Sequence, residues 1–236
     1  MSDFRKKTSQ DMYQFSVEKW AFWDRLDTLE ASENIFTGQP ELAGINPMVK
    51  RRMPVMAKQI QQINQQMSIP AVPTVYASKN AELSRTIELI RQYSGDLSPA
   101  SFSMSVHNAI PGLLSVINKD NSPYTVVDSM DGVLEMAMVE AYTLLQDHPW
   151  IKVIYFEERN AEVLQPLIDQ KDIPMVLMLL ISKGDQFSLS SKPISEQVYQ
   201  SNTSNTKLFD FLAVLKGEQT QTDNSYQRTC WSLSRA

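Results

Sequence analysis

Apolar positions recur along this chain at two periods. Between Met48 and Met67, the residues Met53, Met56, Ile60, Ile63 and Met67 are spaced by three and four. That is the period of an amphipathic helix, and it predicts one helix over 48–67 with its Met/Ile side inward. Asn80 to Tyr93 repeats the pattern with Leu83, Ile87 and Ile90 on one side, Val133 to Leu145 predicts a strongly apolar helix, and Leu208 to Leu215 a short one. Short apolar runs bounded by turn residues predict strands over Ala71–Ala77, Tyr124–Val127, Lys152–Phe156 and Met175–Ile181, with Cys230–Leu233 as an edge strand closing the sheet. Met12 to Leu29 scatters Phe15, Trp20, Phe22, Trp23 and Leu26 among charges without a clean period, and is read as a short strand followed by a helix. Gly38, Pro40, Gly44 and Pro47 mark 30–47 as an irregular surface stretch, while Gln197–Thr206 and Gly217–Tyr226 are polar. Ser105 to Val116 is apolar but interrupted by Pro111-Gly112, a pair unusual inside a helix. The alternation of strand and helix predicts an α/β fold, with a largely buried sheet flanked by helices. No linker or internal repeat divides the chain. A single domain over 1–236 is expected, with a core at about 12–182 and polar loops and closing elements over 183–236.

Composition narrows the function classes. With 42% hydrophobic and 21% charged residues the chain is that of an ordinary globular protein, and a net charge of −5 gives no electrostatic reason to bind nucleic acid or an anionic membrane. The longest apolar run, Ile173–Ile181, contains Pro174 and falls far short of the roughly 20 residues that span a bilayer. No apolar segment of a signal peptide follows Arg5, Lys6 and Lys7, so a cytoplasmic location is the default expectation. A single cysteine, Cys230, rules out an internal disulfide and a Cys-rich metal site, and no motif for zinc, iron or another cofactor is present.

The most specific string is Ser98-Pro99-Ala100-Ser101-Phe102-Ser103-Met104-Ser105-Val106-His107-Asn108-Ala109, followed by Ile110-Pro111-Gly112-Leu113-Leu114-Ser115-Val116. It resembles the segment before the active-site strand of β-ketoacyl synthases, where a Ser-Pro, a few apolar residues and an Asn-Ala-x-x-Gly helix occur in this order. Tyr76-Ala77-Ser78-Lys79-Asn80-Ala81-Glu82-Leu83 and Arg51-Arg52-Met53 are similar to the synthase-like N-terminal family of aryl polyene pathways. The resemblance covers roughly residues 12 to 160 and implies a thiolase-like half-fold with a single mixed sheet flanked by helices.

A condensing enzyme of that superfamily needs a thiolate to accept the acyl group, and two histidines for decarboxylation and oxyanion stabilisation. The stretch matching the nucleophile strand is Tyr124-Thr125-Val126-Val127-Asp128-Ser129-Met130-Asp131-Gly132, and it has no cysteine. Asp128, Ser129, Met130 and Asp131 therefore form a degenerate nucleophile region, and Cys230 comes about a hundred residues too late. The superfamily draws both histidines from a C-terminal half for which 236 residues leave no room, and neither His107 nor His148 matches one. The resemblance further implies that Ser101, Phe102 and Met104, with His107 and Asn108, lie at a dimer interface and wall a partner's acyl tunnel. A bulky side chain at the tunnel end would make each added carbon unit cost about 1–3 kcal/mol of overpacking. The function so implied is a non-catalytic chain-length factor. Its partner would be a full-length β-ketoacyl synthase, with acyl carrier protein engaged indirectly.

Simpler readings stand beside these. His107 reads as a buried histidine that holds its loop, Asp128 and Asp131 as caps of the following helix, and Glu157 and Glu158 as solvent-exposed. Met104, Met130, Met136 and Met138 fit a channel lining or ordinary core packing equally well. Glu135 and Glu140 fall on different helix faces and form no metal pair. Two other functions remain open: a small acyl-thioester enzyme using Ser129 or Asp128, and a structural or carrier-protein-docking subunit.

Overall fold

The computed structural model of the protein describes residues 11–24, 28–92, 95–96, 98–129, 132–158, 175–194, 204–226 and 229–236. Contacts gather the chain into two compact units, one over 17–183 and one formed by the segment up to Ser16 together with 184–236. Hydrogen bonding joins eight strands into one mixed sheet: β1 (Asp11–Asp24), β2 (Ile35–Phe36), β3 (Thr74–Ala77), β4 (Tyr124–Val127), β5 (Trp150–Glu157), β6 (Met175–Pro193), β7 (Gln221–Ser225) and β8 (Thr229–Arg235). The order is β2-β1-β6-β5-β3-β4, with β8 paired to β6 and β7 paired to β8. The helices are α1 (Pro47–Arg52), α2 (Val55–Met67), α3 (Leu83–Arg91), α4 (Pro99–Ser103), α5 (Ala109–Asn118), α6 (Val133–Leu144) and α7 (Ser204–Lys216). A mixed sheet flanked by helices is the expected fold class.

In the larger unit β3 is central. It runs parallel to β4, with Ala77 opposite Val127, and parallel to β5, with Thr74 opposite Lys152. β5 pairs antiparallel with Met175–Ser182 of β6. All four residues of β3 are buried, as expected of a parallel strand covered on both faces. One face carries Tyr76, Ile154, Phe156, Val176 and Met178 into a core shared with Met56, Ile60 and Ile63 of α2 and Ile110 and Leu114 of α5. Alternation turns Val75 and Val153 to the other face, and α6 packs on β3 and β5 through a nearly all-apolar surface that includes Val133, Ala137, Met138 and Ala141.

Several elements differ from the periodicity. The single helix expected over 48–67 is two, because Pro54 pushes Met53 to extended backbone (φ −68°, ψ 131°) and restarts the helix from its own position. The inward Met53, Met56, Ile60 and Ile63 are nonetheless all buried. Residues 12–24 form one continuous strand instead of a strand and a helix; its final residues Ala21–Asp24 are buried together, which hides the alternation. Ile35 and Phe36, inside the expected loop, pair with Phe22 and Trp23. Pro111 is tolerated in α5 because it sits in the first turn, where the backbone N–H has no intrahelical acceptor to lose. On α3 the expected inward stripe fails, since Ile90 is exposed and Leu89 is the buried residue.

The smaller unit contains more regular structure than its polar sequence indicates. Phe187–Pro193 of β6 pairs antiparallel with β8, which pairs antiparallel with β7, so β8 is an interior strand and β7 the edge. β7 lies within the stretch expected to be a polar loop. Its Thr222 and Asn224 are buried, so no apolar side chain announces it. α7 packs on both strands and buries Leu208, Phe211, Leu212, Val214 and Leu215. Phe15 stacks on Phe187 at 5.9 Å between ring centroids. Gly184 lies where a Cβ would stand 1.9 Å from Ser16 Oγ, a close approach that admits only glycine.

Candidate functional site

Chains of this topology present loops at the C-terminal ends of their parallel strands, where side chains from different elements converge. Here β3 leads through Ser78–Glu82 into α3, β4 leads through Asp128 and Ser129 toward α6, and β5 ends at Glu157. Ser78 N–H donates to Val127 O (3.3 Å), joining the first two loops. The Glu157 carboxylate accepts from Lys79 N–H (2.5 Å) and Asn80 N–H (3.3 Å), and Ser78 Oγ accepts from Ala81 N–H (2.7 Å). Glu157 is 4% exposed, so it is a buried clamp on the β3–α3 loop and not the solvent-facing carboxylate its sequence position indicates. Glu158 accepts from Ser84 N–H at the start of α3 (3.4 Å).

Glu82, also buried, lies beside Arg85 (3.6 Å). Burial and the neighbouring Glu158 charge push its carboxyl up to about 7, against the opposing pull of Arg85. The sequence reading places Glu157 in solvent; its position at the end of an apolar parallel strand, β5, is the signal that could have found it. Nothing in the sequence pairs Glu82 with Glu158, because β3 and β5 bring them together only in the fold.

Ser101 and Phe102 lie on α4, which Ser98 caps by accepting from Ser101 N–H (3.4 Å), and Met104 closes it. Phe102 is 60% exposed. Thr86 Oγ1 donates to Ser105 O (3.2 Å), fastening the α4–α5 turn to α3. That turn carries His107 and Asn108; Asn108 begins α5 with its backbone and makes no side-chain cap. His107 is not buried: its side chain is 36% exposed, and Nε2 lies 3.5 Å from Asp128 Oδ2. Asp128 is therefore held against His107 and caps no helix, since Gly132, at φ +66°, precedes α6 with no side-chain cap bond. The turn after α4 and the loop after β4 thus meet at one point, His107–Asp128. Ser129 follows directly, and Met130 and Asp131 lie outside the described residues.

His148 lies in the turn before β5, whereas Asp128 and Glu157 mark the opposite ends of the parallel strands. An eight-residue strand spans about 26 Å, so His107 and His148 cannot act on one substrate atom. Cys230 is a buried, free thiol in β8. Met138 belongs to the core while Met136 is exposed, so these two do not share a lining. Among the described residues no group of histidine, cysteine, aspartate and glutamate is arranged to hold a metal ion, and no helix is long and apolar enough to cross a membrane.

Several elements of the larger unit carry exposed apolar side chains. Ile90, Phe102, Val106, Val116, Tyr124 and Met136 are all exposed. They sit on α3, α4, the following turn, α5, β4 and α6; α3 packs on α4 and α6 on β4, and Gly112 of α5 approaches Tyr124. β4 is the last strand on its side of the sheet and pairs only with β3 among the described residues.

The family model described as "Beta-ketoacyl synthase, N-terminal domain" matches residues 20–233. No curated protein matches the sequence. Among solved structures, the ketosynthase ApeO in complex with its chain length factor ApeC from Xenorhabdus doucetiae contains a chain that is 18% identical, with a TM-score of 0.79 over 94% of this chain and 99% of that one. The ishigamide ketosynthase/chain length factor is similar at a TM-score of 0.50 and 10% identity, over 66% of this chain and 56% of that one.

Proposed function

Because this chain belongs to the β-ketoacyl synthase N-terminal domain family, we propose that it is a non-catalytic chain-length-factor subunit that pairs with a full-length β-ketoacyl synthase. What supports the reading is the stretch after β4, which by resemblance corresponds to the family's nucleophile region: it reads Asp128, Ser129, Met130, Asp131 and has no cysteine. A carboxylate paired with His107 at 3.5 Å is a poor acyl acceptor, and the second histidine stands at the other end of the parallel strands. The fold is that of a chain in a ketosynthase–chain-length-factor complex, and nearly all of both chains is covered.

Ser101, Phe102 and Met104 would wall the partner's tunnel, with His107 and Asn108 at the same interface. The exposed apolar side chains of α3, α4, α5, β4 and α6 suit an obligate interface, which resembles a core cut in half. The product would be of the aryl polyene type, acyl carrier protein would be engaged through the synthase, and the complex would act as a cytoplasmic heterodimer. The 236 residues are taken as a single synthase N-terminal-like domain. A structural subunit that stabilises the synthase without setting length is the reading that remains if Phe102 has no effect on the product.

A second reading, acyl-thioester chemistry at Ser129, draws on the His107–Asp128 pair adjacent to it in the chain. Co-expression with the ketosynthase of the same pathway and size-exclusion chromatography separates the two. The chain-length-factor reading expects co-elution and no turnover by the isolated chain. A stable monomer that hydrolyses acyl thioesters, and loses this on Ser129→Ala, would replace it with the enzyme reading.

A further inference from the structure

At the end of the parallel strands opposite His107 and Asp128, a cleft of about 260 Å³ opens between the C-terminal ends of α2 and α5. Its floor is Lys152, the second residue of β5, which lies between Thr74 of β3 and Leu180 of β6. Strand alternation places Lys152 on the face of Ile154 and Phe156, where the α2/α5 core is packed. It is 5% exposed.

An ammonium in such a place normally has a carboxylate in contact. Among the described residues no carboxylate reaches ion-pair distance, and a hydrogen-bond partner is Asn64 Oδ1 at 3.5 Å, a long contact for a group with three donors. The amides that might have turned to it are engaged elsewhere: Gln61 and Asn118 bond each other reciprocally at 2.7 and 2.8 Å. Asp120 lines the cleft and favours the charged amine from a distance, but burial outweighs it and holds Lys152 below the usual lysine range. The neutral form of a lysine amine is a nucleophile for carbonyl carbon, and Lys152 is among the residues that line the cleft.

We propose that Lys152 is a carbonyl-trapping amine whose cleft admits small aldehydes or ketones and forms an imine with them. Nζ attacks the carbonyl carbon and the π electrons move to oxygen, giving a carbinolamine. One proton passes from nitrogen to oxygen as the carbinolamine forms; its remaining N–H proton then goes to the departing hydroxyl, the C–O bond breaks, and water leaves as C=N forms; addition of water reverses the step. No oxidant or reductant is required. Asp120 lines the cleft and can relay the protons; Tyr76 and Tyr124 line a separate, smaller hollow that shares Asp120 and Lys152 with it, and burial keeps the Tyr76 phenol protonated. The volume lies below the roughly 300 Å³ of ordinary ligand pockets, which restricts the substrate class to carbonyl compounds of a few carbons.

The test is reductive trapping on the full chain at pH 7.5, with limiting butanal and cyanoborohydride, followed by peptide mass spectrometry at early times. Lys119 lines the same cleft but is exposed, and Lys183 is exposed outside it, so both are internal controls. The proposal expects Lys152 to be alkylated faster than either, since burial disfavours its charged form. Lys152→Arg should abolish that fast phase while leaving labelling of Lys183 unchanged. Labelling of Lys119 and Lys183 at equal or greater rates than Lys152 would overturn it.

Discussion

Glu82 gives the loops around β3 a defined response to pH. Its carboxyl is raised from 4.5 to about 7 by burial and by Glu158, so the folded state holds the proton more tightly than the unfolded chain does. The sign follows: the favourable contribution is fully present below pH 4.5 and is lost as pH rises through about 7. Glu82→Gln keeps the shape and removes the titration. It is expected to raise stability at pH 8 by about 1–2 kcal/mol and to flatten the stability profile between pH 5 and 8. Denaturant unfolding at the two ends of that range checks it, and an unchanged slope would contradict the assignment.

At the same scale, Lys152 was visible as a lone charge in Trp-Ile-Lys-Val-Ile-Tyr-Phe, on the side of the strand that Ile154 and Phe156 turn inward. Alternation alone marks it as a buried cation. His107 and Asp128 were not so legible as a pair, because 21 positions separate them and only the α4–α5 turn and the end of β4 bring them within 3.5 Å.

Among the elements, those written in a regular period and closed by turn residues were legible: β3, β4, β5 and α6 lie close to where the sequence places them. The misses have particular causes. Pro54 carried its own signal, but the unbroken spacing of Met53, Met56 and Ile60 across it concealed the break. β7 has no apolar residue at all, and its pairing is dictated by β8. β6 continues past Ser182 through Lys183-Gly184-Asp185-Gln186, a stretch that reads as a turn and is strand because Gly184 lets Ser16 approach. Gly184→Ala would set a methyl on Ser16 Oγ, an overpacking worth about 1–3 kcal/mol. Ser16→Gly in the same chain removes the obstructing atoms and should recover most of the loss. Thermal unfolding of the single and double variants measures this, and a double variant no more stable than the single would contradict the close-approach account.

For the whole molecule, family membership and fold agree on a synthase-like chain, and the stretch after β4 holds no cysteine. In the proposed function its exposed apolar side chains would be covered by a partner, with Phe102 of α4 as the wall of the tunnel. The composition of the proposed interface was partly legible, since Phe102 and Met104 stand in the most specific string. The exposure of Ile90, Val116 and Met136 was not, because apolar helix positions read as core until the fold shows which side is covered.

The most direct measurement is the chain-length distribution of the product made by the reconstituted pair of ketosynthase and this chain, compared between the native chain and Phe102→Ala. The account predicts that the pair still co-elutes and that the product lengthens by at least one elongation unit, because the wall is removed. An intact, active pair with an unchanged product length would contradict the claim that this chain sets it.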